Sequence, residues 1–259
     1  MKKIRNGKWI VSLGAAIMFL FSFIFSTGGG IFSVRENGEF PSDPITASAD
    51  ATLNSKYDAL PDGSSYYYSD VAKIVNYRKG TADSDVSTQV VDRSVAHGKA
   101  ANPFVINTVD QWNAFAADTT GATTATNVFV LGSDLDFAGK TFKPVYNITA
   151  KFYGCNRILS NITYNFGRTN TGTPGNADVS GVFNYAQSTA VITDLSLKNV
   201  KFTNVYAYAG FIVGKTHASI INCHVVGSMT GSAESDCGIG GIAGNVEGNP
   251  QRVYIYRCS

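Results

Sequence analysis

The chain has 259 residues, with 21 Lys+Arg against 19 Asp+Glu and a sequence pI of about 8.3. Four cations, Lys2, Lys3, Arg5 and Lys8, crowd the N-terminus; without them the balance is 17 against 19 (21 − 4 = 17), near −2, which excludes a basic nucleic-acid surface. Charged residues are only 15%, while 26 Gly, 13 Tyr and 16 Phe suit a β-rich exported protein with many turns, and four Cys are too few for a disulfide scaffold.

Trp9 to Ser26 follows the four cations as 18 residues without a charge. A basic segment followed by an apolar run with no polar face predicts an export segment over 1–33. The run is also long enough to cross a bilayer. A cleaved signal peptide, with Ser26-Thr27-Gly28 as its small-x-small site, and a retained membrane anchor both stay open. Either way the remainder is expected outside the cytoplasmic membrane, extracellular or at the cell surface. Membrane contact is expected only through the N-terminal segment.

Residues 34–100 read as a polar, poorly ordered connector: Pro41, Pro44 and Pro61 interrupt it and no apolar period persists. Tyr66-Tyr67-Tyr68 and Val75-Asn76-Tyr77 are candidate short strands. The tyrosines alternatively form a carbohydrate-stacking or wall-contacting cluster.

A lead-in module is predicted over 101–147. Phe104-Val105-Ile106 is a strand. Thr108 with Gln111 forms a capping box, and Val109, Trp112, Phe115 and Ala116 follow at helical spacing. Gly121 to Asn127 is a loop, and Asn127 to Leu131 a strand leading to Asp134-Leu135-Asp136-Phe137.

From 148 to 259 the sequence repeats. Asn161, Asp194, Cys223 and Cys258 fall in one column at spacings of 33, 29 and 35. A second column starts at Gly181, Gly210 and Gly241, 29 and 31 apart, with Gly214 and Gly244 closing two of its segments. Short apolar strands and Gly/Asn turns at a period near 30 predict stacked coils. The expected fold is all-β: a right-handed parallel β-helix (solenoid) with a short N-terminal capping helix. Ile192, Leu195, Leu197, Val200, Phe202, Ile212, Ile221, Val225 and Val226 are expected to face the interior, Lys198 and Lys201 the solvent or a corner. Gly181, Gly210, Gly214, Gly241 and Gly244 are read as corner glycines.

Ala209-Gly210-Phe211-Ile212-Val213-Gly214, Ile221 to Gly231 and Cys237 to Asn245 resemble the GLUG repeat of bacterial surface proteins. Residues 103–137 are similar to the module that precedes such repeats; Cys155 stands where that pattern carries another residue. The resemblance covers about 101–259 and implies a parallel β-helix, as in the non-catalytic part of immunoglobulin A protease-type peptidases and in adhesins. The chain stops at Ser259 inside a strand with no cap after it, so a piece of a longer protein is expected.

Asp134 and Asp136 share one strand face, which permits acid/base or calcium chemistry, although a turn-flanking role typical of the lead-in module is the plainer reading. His217, Cys223, His224 and Cys237 are a weak zinc set, because neighbours Cys223 and His224 point to opposite faces. Cys223 and Cys258 would stack ~5 Å apart across parallel strands, as free thiols or a disulfide. Asn147-Ile148-Thr149 and Asn161-Ile162-Thr163 are chance sequons. HExxH, GxSxG and P-loop motifs are absent, so catalytic residues, metals and cofactors are not expected. The leading expectation is a non-catalytic surface protein, adhesin-like or a stalk, meeting an unidentified host or cell-wall ligand, glycan or protein. The alternatives are the N-terminal region of a surface metallopeptidase and, third, a carbohydrate-active β-helix enzyme using the Asp134/Asp136 region.

Overall fold

The computed structural model describes residues 56–80, 85–167, 179–232, 238–248 and 252–259. The export segment 1–33 and Cys237 lie outside them. Among the described residues no helix is long and apolar enough to cross a membrane.

The described chain begins with strand β1 (Ser65–Ser69), helix α1 (Val71–Arg78) and strand β2 (Val86–Val90). Then come β3 (Phe104–Ile106), α2 (Val109–Ala117), the single turn α3 (Thr119–Thr123), β4 (Val128–Leu131), β5 (Leu135–Asp136) and β6 (Val145–Ile148). The long strands β7 (Lys151–Ser160) and β10 (Val191–Tyr206) bracket β8 (Thr163–Asn165) and β9 (Phe183–Ala186). The remainder is β11 (Ala209–Gly210), β12 (Val213–Thr216), β13 (Ser219–Ile221), β14 (His224–Ser232), β15 (Ile239–Gly240), β16 (Ala243–Val246) and β17 (Ile255–Tyr256). The fold is all-β, and all sheet pairs but β1–β2 are parallel.

Two stacks carry the architecture. In one, β3, β4, β7, β10, β13 and β17 lie side by side, and Phe104, Phe129, Phe152, Ile192, Ile220 and Ile255 form one register column. In the other, β6, β9, β12 and β16 align Val145, Phe183, Val213 and Ala243. Parallel strands buried on the inner side demand such apolar columns. One continuous core joins them, from Trp112 and Phe115 through Phe152 and Phe183 to Leu195, Phe202 and Ile212.

Helix α2 matches its sequence signature. Thr108 Oγ1 accepts from Gln111 N at 3.1 Å, and Gln111 Oε1 accepts from Thr108 N at 3.1 Å. Trp112 is fully buried and donates Nε1 to Lys143 O at 3.0 Å. An indole buried with its N–H satisfied anchors the helix over the core.

The register corrects the sequence alignment. Asp194 lies opposite the Gly154–Asn156 bulge, not Asn161, since Thr193 pairs with Tyr153 and Leu195 with Arg157. Ile192 pairs with Ile220, whereas Ile221 pairs with Thr193 and Tyr256. Cys223 does lie beside Cys258, because Ser259 N donates to Cys223 O and Val225 N to Ser259 O. Val226, expected inside, is 69% exposed beside the exposed Lys198 on the neighbouring strand.

Within and just after β7, β10, β13 and β17, asparagines and Asp194, with Cys155, Ala207 and Arg257, take the left-handed conformation; the left-handed glycines Gly63, Gly80, Gly98, Gly139 and Gly167 lie elsewhere. Asn156, Asn161, Asp194, Asn199, Asn204 and Asn222 have φ between 51° and 58°. Asn and Asp tolerate that region because their side chains bond locally. Gly181, Gly210, Gly214, Gly241 and Gly244 do not have positive φ. Gly181 and Gly241 stand at bends, and close approach of neighbouring backbone is a further demand on these glycines, clearest at two positions. A Cβ on Gly210 would sit 2.6 Å from Ala243 Cα, and one on Gly244 2.3 Å from Ala209 N. At Gly241 a Cβ would meet nothing within 4 Å, so this residue does not share that constraint.

Residues 56–80 and 85–100, expected within the poorly ordered connector, are instead folded against the outer face of the first sheet. Asp58 and Val105 exchange backbone bonds at 3.1 and 3.0 Å. Leu60, Tyr66 and Val91 bury themselves on Val105, Val128, Val130, Tyr153 and Cys155. Tyr68 stacks on Tyr153 at 4.5 Å. Helix α1 is capped by Asp70, whose Oδ1 accepts from Ala72 N at 2.9 Å. Asp85 reaches Arg257 at 2.5 Å. This strap therefore meets β3 at Val105 and the residue after β17 at Arg257.

Candidate functional site

Asp134 and Asp136 sit exposed on and beside β5. Asp134 Oδ1 accepts from Ile158 N at 2.9 Å. Asp136 Oδ1 accepts from Asn161 Nδ2 at 2.8 Å and Ala138 N at 2.9 Å. Those bonds, Asn161 first, hold the Asp136 carboxyl below the usual range. The pair thus ties β5 to β7 and the bend that follows it, and closes a turn.

Asp136 starts a side-chain ladder. Asn161 donates to Asp136, and Asn199 Nδ2 donates to Asn161 Oδ1 at 2.6 Å. A parallel rung joins Asn204 Nδ2 to Asn165 Oδ1 at 3.0 Å. The rungs bridge neighbouring parallel strands, and Asn161, Asn199 and Asn204 stand at left-handed positions.

Asp194 is the most deeply held carboxylate, 5% exposed. It accepts from Ser69 N at 2.8 Å, Ser69 Oγ at 2.7 Å, Thr193 Oγ1 at 2.6 Å and Asn222 Nδ2 at 2.8 Å. Four donors satisfy the ion that burial would otherwise penalise. Beside it, the buried Cys155 thiol is pushed well up, by desolvation first and by the Asp194 charge second. Arg157 is 3% exposed, and its Nε and Nη2 have no hydrogen-bond partner among the described residues.

Cys155, Cys223 and Cys258 are free thiols. Burial drives Cys223 up, while the bond from the Cys223 thiol pulls Cys258 down. His224 Nδ1 lies 2.7 Å from Ser259 Oγ and its Nε2 3.3 Å from Asn222 Oδ1. His217 lies apart from these, against Glu247 at 3.2 Å. Among the described residues no group of three His, Cys, Asp or Glu side chains gathers in a metal-holding arrangement.

The structure assembles one cluster that sequence reading missed. Lys215 Nζ pairs with Glu247 at 2.9 Å, and Glu247 also meets His217. The ammonium lies 6.0 Å from the Tyr185 ring and 5.9 Å from the Tyr208 ring, and His217 meets Tyr185 edge-on at 5.7 Å. Desolvation raises the Tyr185 phenol, with Lys215 opposing. Lys215 and His217 stand two apart, the one sequence sign that they share a face. Tyr185 joins them through the parallel pairing of β9 with β12, and Glu247 follows β16, which pairs with the other edge of β12. The Tyr185 and Tyr208 rings thus flank a partly buried ion pair, an arrangement in which ring faces and the ammonium attract.

Searches against protein-family models, curated proteins and solved structures find no match to this chain.

Proposed function

We propose that the chain is a non-catalytic, extracellular or cell-surface protein built on a right-handed parallel β-helix of GLUG-like coils, working as an adhesin-like module or a stalk. One observation carries this reading: the conspicuous carboxylates are bound into structural contacts, Asp136 by Asn161 and Asp194 by Asn222 on the neighbouring strand and by Ser69 of the strap. Groups consumed in stacking serve rigidity rather than proton transfer. The Tyr185–Lys215–His217–Glu247 cluster is the surface offered to a host or cell-wall ligand.

The test uses the full chain expressed in a bacterial host. A membrane-impermeant amine reagent is applied to intact protoplasts. Lys198 and Lys201 are exposed, so the reading expects both to be modified without lysis. Modification only after lysis overturns the surface location.

A further inference from the structure

A cleft of about 350 Å³ opens between α3 and β6, lined by Thr119, Thr120, Thr123, Thr124, Tyr146 and Asn147 over a floor of Ala122 and Val145. We infer that it binds one ring of a neutral saccharide. This inference rests on the cleft alone and not on the surface-protein reading.

The lining carries no carboxylate, ammonium or guanidinium. An anion or cation would lose its hydration there without a counter-charge. A wholly apolar ligand would leave the threonine hydroxyls dry. What the walls offer is hydroxyls, an amide and an aromatic ring. Thr123 Oγ1 donates to Thr119 O, and Thr124 Oγ1 donates to Thr120 O at 2.8 Å. Both hydroxyl oxygens therefore keep lone pairs for ligand O–H groups. Asn147 Oδ1 is buried and has no hydrogen-bond partner among the described residues. A ligand hydroxyl meeting a reoriented Asn147 amide supplies the missing donor. Tyr146 is 52% exposed at the rim, which gives the C–H face of a sugar ring a flat surface to lie on.

The walls are also preformed, which limits the ordering cost of binding. Asp118 caps α3 through Gly121 N at 2.8 Å and is itself held by Lys56 at 2.8 Å and Tyr57 Oη at 3.1 Å. Ala122 O accepts from Thr149 N at 2.9 Å and Ala150 N at 3.0 Å, tying the turn to the strands beneath.

The test titrates the full chain with maltotriose, cellotriose and chitotriose, and separately with trigalacturonate, by ligand-observed NMR. At least one neutral trisaccharide should bind with a Kd of about 1 mM or tighter, and trigalacturonate more weakly. Tyr146→Ala and Asn147→Ala should each weaken that binding at least about tenfold. Tyr77→Ala, an exposed tyrosine on α1, should leave it unchanged. Failure of all three neutral sugars, indifference to Tyr146→Ala in a chain with unchanged circular dichroism, or preference for trigalacturonate overturns the inference.

Discussion

Ser69 and Asp194, 125 positions apart, are joined by two hydrogen bonds, Ser69 N to Oδ2 at 2.8 Å and Ser69 Oγ to Oδ1 at 2.7 Å. They fasten the strap of residues 56–80 and 85–100 to the bend of β10. Asp194→Ala strands buried donors and replaces a residue suited to φ 57°, so it should cost about 3 kcal/mol. Ser69→Ala removes one bond and should cost about 1 kcal/mol. The double mutant, measured by urea unfolding, should cost clearly less than the sum. Additive losses would show that the contact does not carry the attachment.

Limited proteolysis reads the strap directly. Tyr57, Leu60, Tyr66, Ile74 and Val91 are all at most 3% exposed, so a protease-resistant fragment should begin before Tyr57. Trimming to a stable product starting near Asn102 would mean the strap is not part of the folded unit.

The strap escaped sequence reading because its buried side chains follow neither a helical nor a strand period. Each packs on a different element of a distant sheet, and tertiary contact rather than local pattern decides its order. Its local signs were Tyr66-Tyr67-Tyr68, which lies in β1, and Asp70 ahead of Val71-Ala72-Lys73-Ile74, a cap for α1; Val75-Asn76-Tyr77, expected as a strand, lies in that helix. The Thr108–Gln111 box, Trp112 and the exposed Lys198 and Lys201 were legible because they obey local rules. The coil register was not. Left-handed Asp194 and Asn222 each reset the side-chain alternation, and the bulge at Gly154–Asn156 adds residues that no fixed period anticipates. Aligning Asn161 with Asp194 merged two separate ladders. The Lys215–Glu247 cluster was hidden for a similar reason, since only stacking joins residues a coil apart.

Alkaline pH should destabilise the fold. Burial raises the Cys155 thiol above its ordinary 9.0 and the Tyr66 and Tyr153 phenols above 10.0. In the unfolded chain these groups lose protons that the folded chain keeps. Their stabilisation is full below the unfolded values and falls as pH rises past them, by about 1.4 kcal/mol per pH unit for each group. Tm should be level with respect to these groups up to about pH 8.5 and then decline. Tyr66→Phe should make the decline above pH 10.0 shallower. An unchanged slope in that variant would contradict the assignment.

The thiols should separate by position. Cys155 and Cys223 are buried, whereas Cys258 is half-buried with its thiol pulled down. Brief iodoacetamide treatment near neutral pH should alkylate Cys258 before either of them, as peptide mapping would show. Equal labelling of the three would contradict the stacked arrangement.

Parallel strand pairing in the observed register underlies the proposed surface-protein reading, and a cysteine pair across β10 and β14 tests it most directly. Lys198 pairs with Val226, both exposed, while Val225 packs against the core. Under mild oxidation, the Lys198→Cys/Val226→Cys chain should form an intramolecular disulfide between the new cysteines, identified by peptide mapping. The Lys198→Cys/Val225→Cys chain should not. A cross-link in the second chain, or in neither, would contradict the stacked parallel coils.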